Sequence, residues 1–551
     1  MNNRIEKNKE NHLIKELRER LPWKQFLETM ENQGFIKVSS IKFNDETEKP
    51  KKKEGLQSGF KMLIDNKIHS NSIRDPSLLS LTPYILFRPL SEVQLRYIVL
   101  TSQNFKIPIT FASGKTGLSG GYSNYGIIVD LANLHSFDSP INLNILKEEI
   151  NVEQRVLVSD LIKLIPFRTN GKYIFPVQPA SAYKLPVRVG GIISSNASGI
   201  TSGKLGAVED WLVKIRIMKI NGEIIEIEKD NALFKRVVGG NGYFGVILNG
   251  LFKLYKPSSN LKQAILYGYD IDLAFDGLQS VLESKIFPLI SEFVVSLEYL
   301  PGKFKELSMN LNNSIPIKWA VIIKGSNEDV NKFVEKMILI TKCNWESLNE
   351  VEFQEYLQER SSFGILSQST NSSEKFIAFP GFEDILSEPK FLPKIVNEIN
   401  KIFTNHGFHQ VIFEYGHINF RKGQGLLLHI RLPVPIDYFY KEKRHKLSLI
   451  CETVYDVINS LKKNFSVKHK AEHSPGPFQI WLDPKFRKMI RKEIIRGSAF
   501  INPHLLIFDE LLRRKLTNEL KDDSQLIHID ESLSDRSKRD LFISAMKLYL
   551  H

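Results

Sequence analysis

The chain predicts an α+β protein built from two principal domains, and three observations support this. From Thr82 to about Pro257, short apolar strands alternate with amphipathic helices. From Lys262 to about Val467, a second series of strands and helices brings its own apolar residues. Glycine-rich turns at Gly114–Gly121 and Gly190–Gly199 follow or interrupt the first series, where the backbone must turn tightly or approach something closely. At 551 residues and 42% hydrophobic content the chain can divide into two to four units with cores of their own.

Taken in order, residues 12–34 space Leu13, Leu17, Leu21, Phe26 and Met30 as the apolar face of a helix. A polar, lysine-rich linker follows over 40–56, so residues 1–56 form a helix and a linker. The first domain is placed at 57–257. It carries a strand at Tyr84–Phe87, a helix begun by Ser91 and Glu92, and strands at Ile107–Phe111 and Gly126–Asp130. The second domain is placed at 258–483, with strands at Trp319–Lys324 and Leu426–Leu432 and helices at Asn327–Ile340 and Phe391–His406. Residues 484–551 form a charged helical segment containing Ile501-Asn502-Pro503. No internal repeat is apparent.

Composition narrows the function. The charge excess, 75 Lys and Arg over 62 Asp and Glu, is +13, but the lysines are scattered among polar residues and form no stripe interleaved with aromatics. Nucleic acid is therefore not the expected partner. Two cysteines, Cys343 and Cys451, lie far apart, which supports neither a disulfide framework nor an iron–sulfur cluster and points to a reducing compartment. The N-terminus lacks the apolar core of a signal peptide, and no apolar run approaches about 20 residues, so no transmembrane segment is expected. The expected location is the cytoplasm, either free or peripheral to the inner face of a membrane.

Ile107 to Gly121 sets small residues and hydroxyls in one turn directly after an apolar strand. Glycines there let backbone N–H groups turn inward, an arrangement suited to a diphosphate. It is not a nucleotide-triphosphate P-loop, because the glycine required five residues before Gly114-Lys115 is Ile109. Gly240-Asn-Gly242-Tyr-Phe-Gly245 spells GxGxxG, yet no acidic residue follows at the ribose-binding distance, and it reads as a tight turn. Two glycine-rich stretches suggest two walls around one large phosphorylated cofactor, a flavin.

The order of the pieces resembles the flavin-linked oxidase superfamily of vanillyl-alcohol-oxidase type, in particular its D-lactate, glycolate and D-2-hydroxyglutarate dehydrogenase branch. The matching pieces are Phe87-Arg-Pro-Leu-Ser-Glu-Val93, Gly114–Gly121, Ile127–Leu134, Pro176–Ser181, Gly190–Gly199, Lys204–Gly206 through Asp210, Asn221-Gly-Glu223 and Gly242–Ile247. The resemblance implies a two-subdomain FAD-binding domain of PCMH type and an α+β cap domain with an antiparallel sheet. It further implies that Ser113, Gly114, Lys115, Thr116, Gly117, Leu118, Ser119 and Gly120 hold the FAD pyrophosphate. Pro179, Ala180 and Ser181 with Gly190, Gly191, Ser194, Asn196 and Gly199 would line its ribityl and isoalloxazine side, and Val246 and Ile247 would lie near the adenine. Departures are Lys115, which either adds a cation to the diphosphate or points outward, Gln178, Ser198, and Arg188, which is either a flavin or substrate contact or a surface residue.

In the second domain, Glu414-Tyr-Gly-His417 and Leu428-His-Ile-Arg431 resemble the family's strand pair with two metal-binding histidines, and Lys470-Ala-Glu-His473 its Glu-His segment. The resemblance implies a Zn or Mn site of His417, His429 and Glu472, with His473 as catalytic base. Each histidine alone could equally be an ordinary strand or loop residue. The family spaces its two histidines more closely than 417 and 429, but a hairpin turning at Lys422–Gly425 would still bring them onto neighbouring strands. Arg431 lies on the same strand face as His429 and either clamps a substrate carboxylate or is a surface residue.

The implied activity is FAD-dependent oxidation of a small anionic 2-hydroxy acid to the 2-oxo acid. Electrons would pass to an external acceptor, whether a quinone, an electron-transfer flavoprotein or an iron–sulfur subunit. The alternatives are a sugar or alcohol oxidase, an alkyl transferase of the ether-lipid synthase kind, and a flavoprotein subunit without its own activity.

Overall fold

The computed structural model describes residues 12–33, 61–64, 81–117, 120–297, 300, 302–309, 316–361, 376–379, 385–408, 412–419, 425–435, 438, 446–465, 467–469, 484–515, 526 and 533–549. Its strands form three sheets.

The first sheet is small and mostly parallel. Ile127–Asp130 lies between Ile85–Arg88 and Ile109–Ala112, and Lys61–Ile64 adds an antiparallel edge. The central strand is buried at every residue, as expected of a parallel strand covered on both faces. Helix Glu92–Asn104 makes the crossover, and its N-terminus is capped as the sequence suggests, with Ser91 Oγ accepting from the Gln94 amide at 3.3 Å.

The second sheet is antiparallel, in the order Ile141–Asn144, Glu149–Glu153, Val246–Lys253, Leu212–Met218, Ile224–Glu228. The third is a large antiparallel sheet. It runs Asn344–Leu348, Leu261–Gly268, Trp319–Ser326, Ile290–Val295, Ile412–Asn419, Gly425–Pro435, Ile385–Ser387, Lys468–His469, with Phe376–Phe379 also paired to Gly425–Pro435. Helix Asn327–Thr341 packs on its strands Leu261–Gly268 and Trp319–Ser326. Helix Ser202–Leu205 of the first domain packs against Ile290–Val295 and Ile412–Asn419. Gly203 is essential to that approach, since a Cβ there would sit 2.5 Å from the Ile418 carbonyl oxygen. The antiparallel cap sheet is thus as expected, and the strands containing His417 and His429 stand beside the first domain.

The N-terminal helix expected over 12–34 is two helices, His12–Glu19 and Trp23–Asn32. Pro22 has no N–H to continue the first and instead precedes the first turn of the second. Both lie on the first domain. Arg18 Nη2 donates to the Thr82 carbonyl at 2.6 Å, and Trp23 packs its ring 4.3 Å from that of Tyr84.

The C-terminal helices also return to the first domain. The Phe500 amide donates to the Tyr243 carbonyl at 2.8 Å, and the Phe500 ring meets Phe111 edge-on at 4.9 Å. Helices Pro503–Lys515 and Asp535–Tyr549 pack together around His504, whose Nδ1 bonds the Tyr549 hydroxyl beside the Gly121 backbone. Burial pushes the imidazole from its ordinary 6.5 down to about 3. The native ring is therefore neutral, and the unfolded chain takes up a proton that the folded chain refuses. Stability is unaffected above about pH 7 and declines as pH falls from 6.5 towards 3, by about 1.4 kcal/mol per pH unit for this one proton. His504→Gln should flatten the dependence of apparent stability on pH between 6 and 4 by roughly that slope. Parallel curves for the two proteins in urea titrations would remove His504 as a source of acid sensitivity.

Candidate functional site

The glycine-rich segments meet in one cleft. Its walls are Phe111–Gly117 with Gly121 and Tyr122, the Pro179–Ser181 turn, helix Val189–Ser195, and the Asn241–Ile247 turn, while Arg360, Ser361 and His429 close it from the second domain. It encloses about 1580 Å³ of empty space including its open mouth. With glycine-rich backbone in its walls, the cleft suits an extended phosphorylated ligand.

Ser113, Gly114, Lys115, Thr116, Gly117, Pro179, Ala180, Ser181, Gly190, Gly191, Ser194, Gly199, Val246 and Ile247 all line it. Leu118 and Ser119 lie outside the described residues. Gly120, at φ +70°, adjoins the lining but is not part of it. Asn196 also stands outside the lining. It caps helix Val189–Ser195 in the left-handed conformation, and its Oδ1 accepts from the Glu209 amide at 3.0 Å, so its work is structural.

Two glycines explain the shape of the cleft. At Gly114 a Cβ would lie 2.2 Å from the Pro186 carbonyl oxygen, so the loop seats directly on the backbone of its neighbour. At Gly191 a Cβ would meet nothing within 4 Å, although the residue is in a helix wall. Open space over a helical glycine is the room a ligand needs, and the cleft therefore fits a group such as FAD.

Lys115 lies in the wall at φ +55°, with Nζ 2.9 Å from Asp130 Oδ2, and Arg88 Nε approaches the same oxygen at 3.3 Å. It is neither outward nor isolated. Arg188 is also in the wall, half-buried, donating from Nη1 to the Arg155 carbonyl, and burial lowers its pKa. Neither is a plain surface cation.

Strands Ile412–Asn419 and Gly425–Pro435 are antiparallel neighbours with a bulge between Tyr415 and Ile418, so the expected hairpin pairing is present. His429 lies across from Glu414, is only 3% exposed, and places its ring over Gly416, where a Cβ would fall 2.6 Å from Nε2. The backbone of His417 is opposite Glu292, and that of Arg431 opposite Ile412. Glu472 and His473 lie outside the described residues. Among the described residues no three His, Cys, Asp or Glu come together as a metal site.

Sequence reasoning missed Arg360 and Ser361. Arg360 ends helix Glu350–Arg360, is 3% exposed, and donates from Nε to Glu292 Oε2 at 3.0 Å, with Glu292 fully buried. Ser361 Oγ donates to the Leu357 carbonyl at 2.7 Å and reaches the Ala180 carbonyl, 181 residues earlier. No local signal marks either residue, since Gln-Glu-Arg-Ser-Ser reads as an ordinary polar helix end. The Asn241–Gly245 turn is tight, as its spelling suggests, with Asn241 at φ +50° and Gly242 at +78°, but it is also cleft wall.

Residues 83–228 match the family described as "FAD binding domain". Among curated proteins the chain is 25% identical over 224 residues to the glycolate oxidase subunit GlcD of Bacillus subtilis, covering 38% of this chain and 45% of that protein. It is 24% identical over 211 residues to a D-2-hydroxyglutarate dehydrogenase of Stutzerimonas stutzeri, covering 37% and 43%. The match thus spans less than half the length of either relative. Among solved structures, the fold is similar to an alkyldihydroxyacetonephosphate synthase, with TM-score 0.57, 12% identity and 76% of each chain covered. It is also similar to the Physcomitrella patens BBE-like 1 protein, with TM-score 0.56, 13% identity, and 81% and 96% covered.

Proposed function

We propose that this chain, whose residues 83–228 match an FAD binding domain, is a cytoplasmic FAD-dependent dehydrogenase that oxidises a small 2-hydroxy acid to the 2-oxo acid and hands its electrons to a separate acceptor. The observation that carries this reading is the cleft: glycine-rich walls from the first domain, with the buried cation Arg360 and His429 at its second-domain side. When bound, FAD supplies the two-electron redox chemistry. The chain supplies the rest. Backbone N–H groups of Ser113–Gly117, in the cleft wall, would receive the diphosphate, and the Pro179–Ser181 turn and the lining residues of the Gly190–Gly199 stretch would hold the remaining cofactor.

Arg360 is a candidate for holding a carboxylate, because it lines the cleft, is sheltered from water and uses its Nε for Glu292, and a guanidinium has further N–H donors. Arg431 is a second candidate for that role. His473 would accept the hydroxyl proton, a contribution of about 10²–10⁴ in rate for a well-placed base. A Zn or Mn ion on His417, His429 and Glu472 would orient the substrate. The pairing of the two histidine strands supports it, and no step above depends on it.

The test is an anaerobic spectrum of purified protein with a panel of D- and L-2-hydroxy acids, sugars and neutral alcohols. Bleaching of the flavin by one hydroxy acid is the expected outcome, slowed by roughly 10²–10⁴ in His473→Ala with flavin content unchanged. Bleaching by sugars alone, or by nothing, would replace this reading with a sugar oxidase, a transferase or an inactive flavoprotein subunit. Elemental analysis of the same sample decides the metal.

A further inference from the structure

Three exposed apolar side chains cluster at one end of the first domain. Ile145 and Leu146, 42% and 98% exposed, form the tip of the hairpin joining Ile141–Asn144 to Glu149–Glu153. Phe167, 79% exposed, is in the last turn of helix Val158–Arg168. Two hydrogen bonds tie these places together. Tyr173 Oη donates to Glu148 Oε1 in the hairpin turn at 2.6 Å, and the Tyr173 amide donates to Thr169 Oγ1, two residues past Phe167, at 3.1 Å.

The same end is cationic. Lys147, Lys163, Arg168 and Lys172 are all exposed, and among the described residues none makes an ion pair. Lys163 precedes Phe167 by four residues and so shares its helix face. Of the nearby carboxylates, Glu149 pairs with Lys253 Nζ at 2.9 Å and Asp160 stands at the far end of the helix, so Glu148, which accepts from Tyr173 and keeps its charge, is outnumbered by the four cations.

We propose that this end docks on the surface of an anionic lipid bilayer, with Leu146 and Phe167 entering the boundary between headgroups and acyl chains and the four cations facing anionic headgroups. The chemistry favours a bilayer over a protein. Protein interfaces need roughly 800 Å² per partner with a core depleted of charge, whereas here a few apolar tips protrude among exposed lysine and arginine. A fluid bilayer accommodates protruding tips, and the overall charge of +13 adds long-range attraction. No helix among the described residues is long and apolar enough to cross a membrane. The inference is independent of the flavin chemistry, and lipid binding can succeed or fail whatever the substrate.

The full chain should co-sediment with phosphatidylcholine vesicles containing about one third phosphatidylglycerol and far less with phosphatidylcholine alone. Leu146→Glu with Phe167→Glu should weaken that partition by about 100-fold, since each change removes a side chain whose burial is worth at least tenfold. Lys147→Gln, Arg168→Gln and Lys172→Gln together should weaken it by about fivefold per charge, and added salt should act the same way on wild type. All positions are exposed, so flavin content and thermal midpoint serve as checks of folding. Wild type that ignores anionic vesicles, or variants that bind them as well as wild type, would overturn the proposal. So would a wild-type oligomer, seen without lipid, that Leu146→Glu dissociates.

Discussion

Gly191→Trp is expected to purify colourless while remaining folded. The glycine lines the cleft, and a Cβ built there meets no protein atom within 4 Å. An indole would therefore enter the cleft rather than the core, and replacing a helical glycine adds no penalty of propensity. Flavin affinity should fall by more than about tenfold, at least 1.4 kcal/mol. The thermal midpoint of the variant should match that of wild type stripped of flavin. Gly199→Ala gives the contrast, because at φ +83° its Cβ would lie 2.3 Å from the Gln178 carbonyl oxygen and the backbone itself would have to move. Loss of flavin with loss of fold is expected there. A Gly191→Trp protein that retains its full yellow colour would show that the cofactor lies elsewhere.

What could be read from the sequence divides along the range of the interactions. The alternating strands, the Ser91 cap and the hairpin carrying His429 were legible because each is set by residues within about a dozen positions, through hydrophobic period and turn chemistry. The cleft lining from Ser113 to Gly117 was legible for the same reason. The cap at Asn196 was not read from the sequence, because the resemblance assigned the whole Gly190–Gly199 stretch to the cofactor, whereas the left-handed turn after helix Val189–Ser195 favours Asn there. Pro22 interrupts an apolar pattern that continues across it, so period alone joined two helices. The contact of Phe500 with Phe111 joins residues nearly 400 positions apart and leaves no local trace. Arg360 is the strongest case, since only the fold brings it to Glu292, 68 residues earlier, and to the cleft.

That same pair yields the second large effect. Arg360→Met strips a fully buried carboxylate of its guanidinium partner and should cost about 3–5 kcal/mol of stability. Glu292→Met together with Arg360→Met removes both charges and should restore most of that loss, because well-packed apolar residues replace buried ion pairs at little cost. The double variant then isolates function from folding. If Arg360 holds the substrate carboxylate, the double variant should bind hydroxy acids at least about tenfold more weakly, judged by the concentration that half-bleaches the flavin, since a hydrogen bond to a charged group contributes about 1.5–3 kcal/mol. Its flavin content should stay at the wild-type level, because the glycine-rich walls that hold the cofactor are untouched. A double variant that is stable, yellow and unchanged in its affinity for hydroxy acids would make Arg360 a structural partner of Glu292 only, and Arg431 the carboxylate anchor to test next.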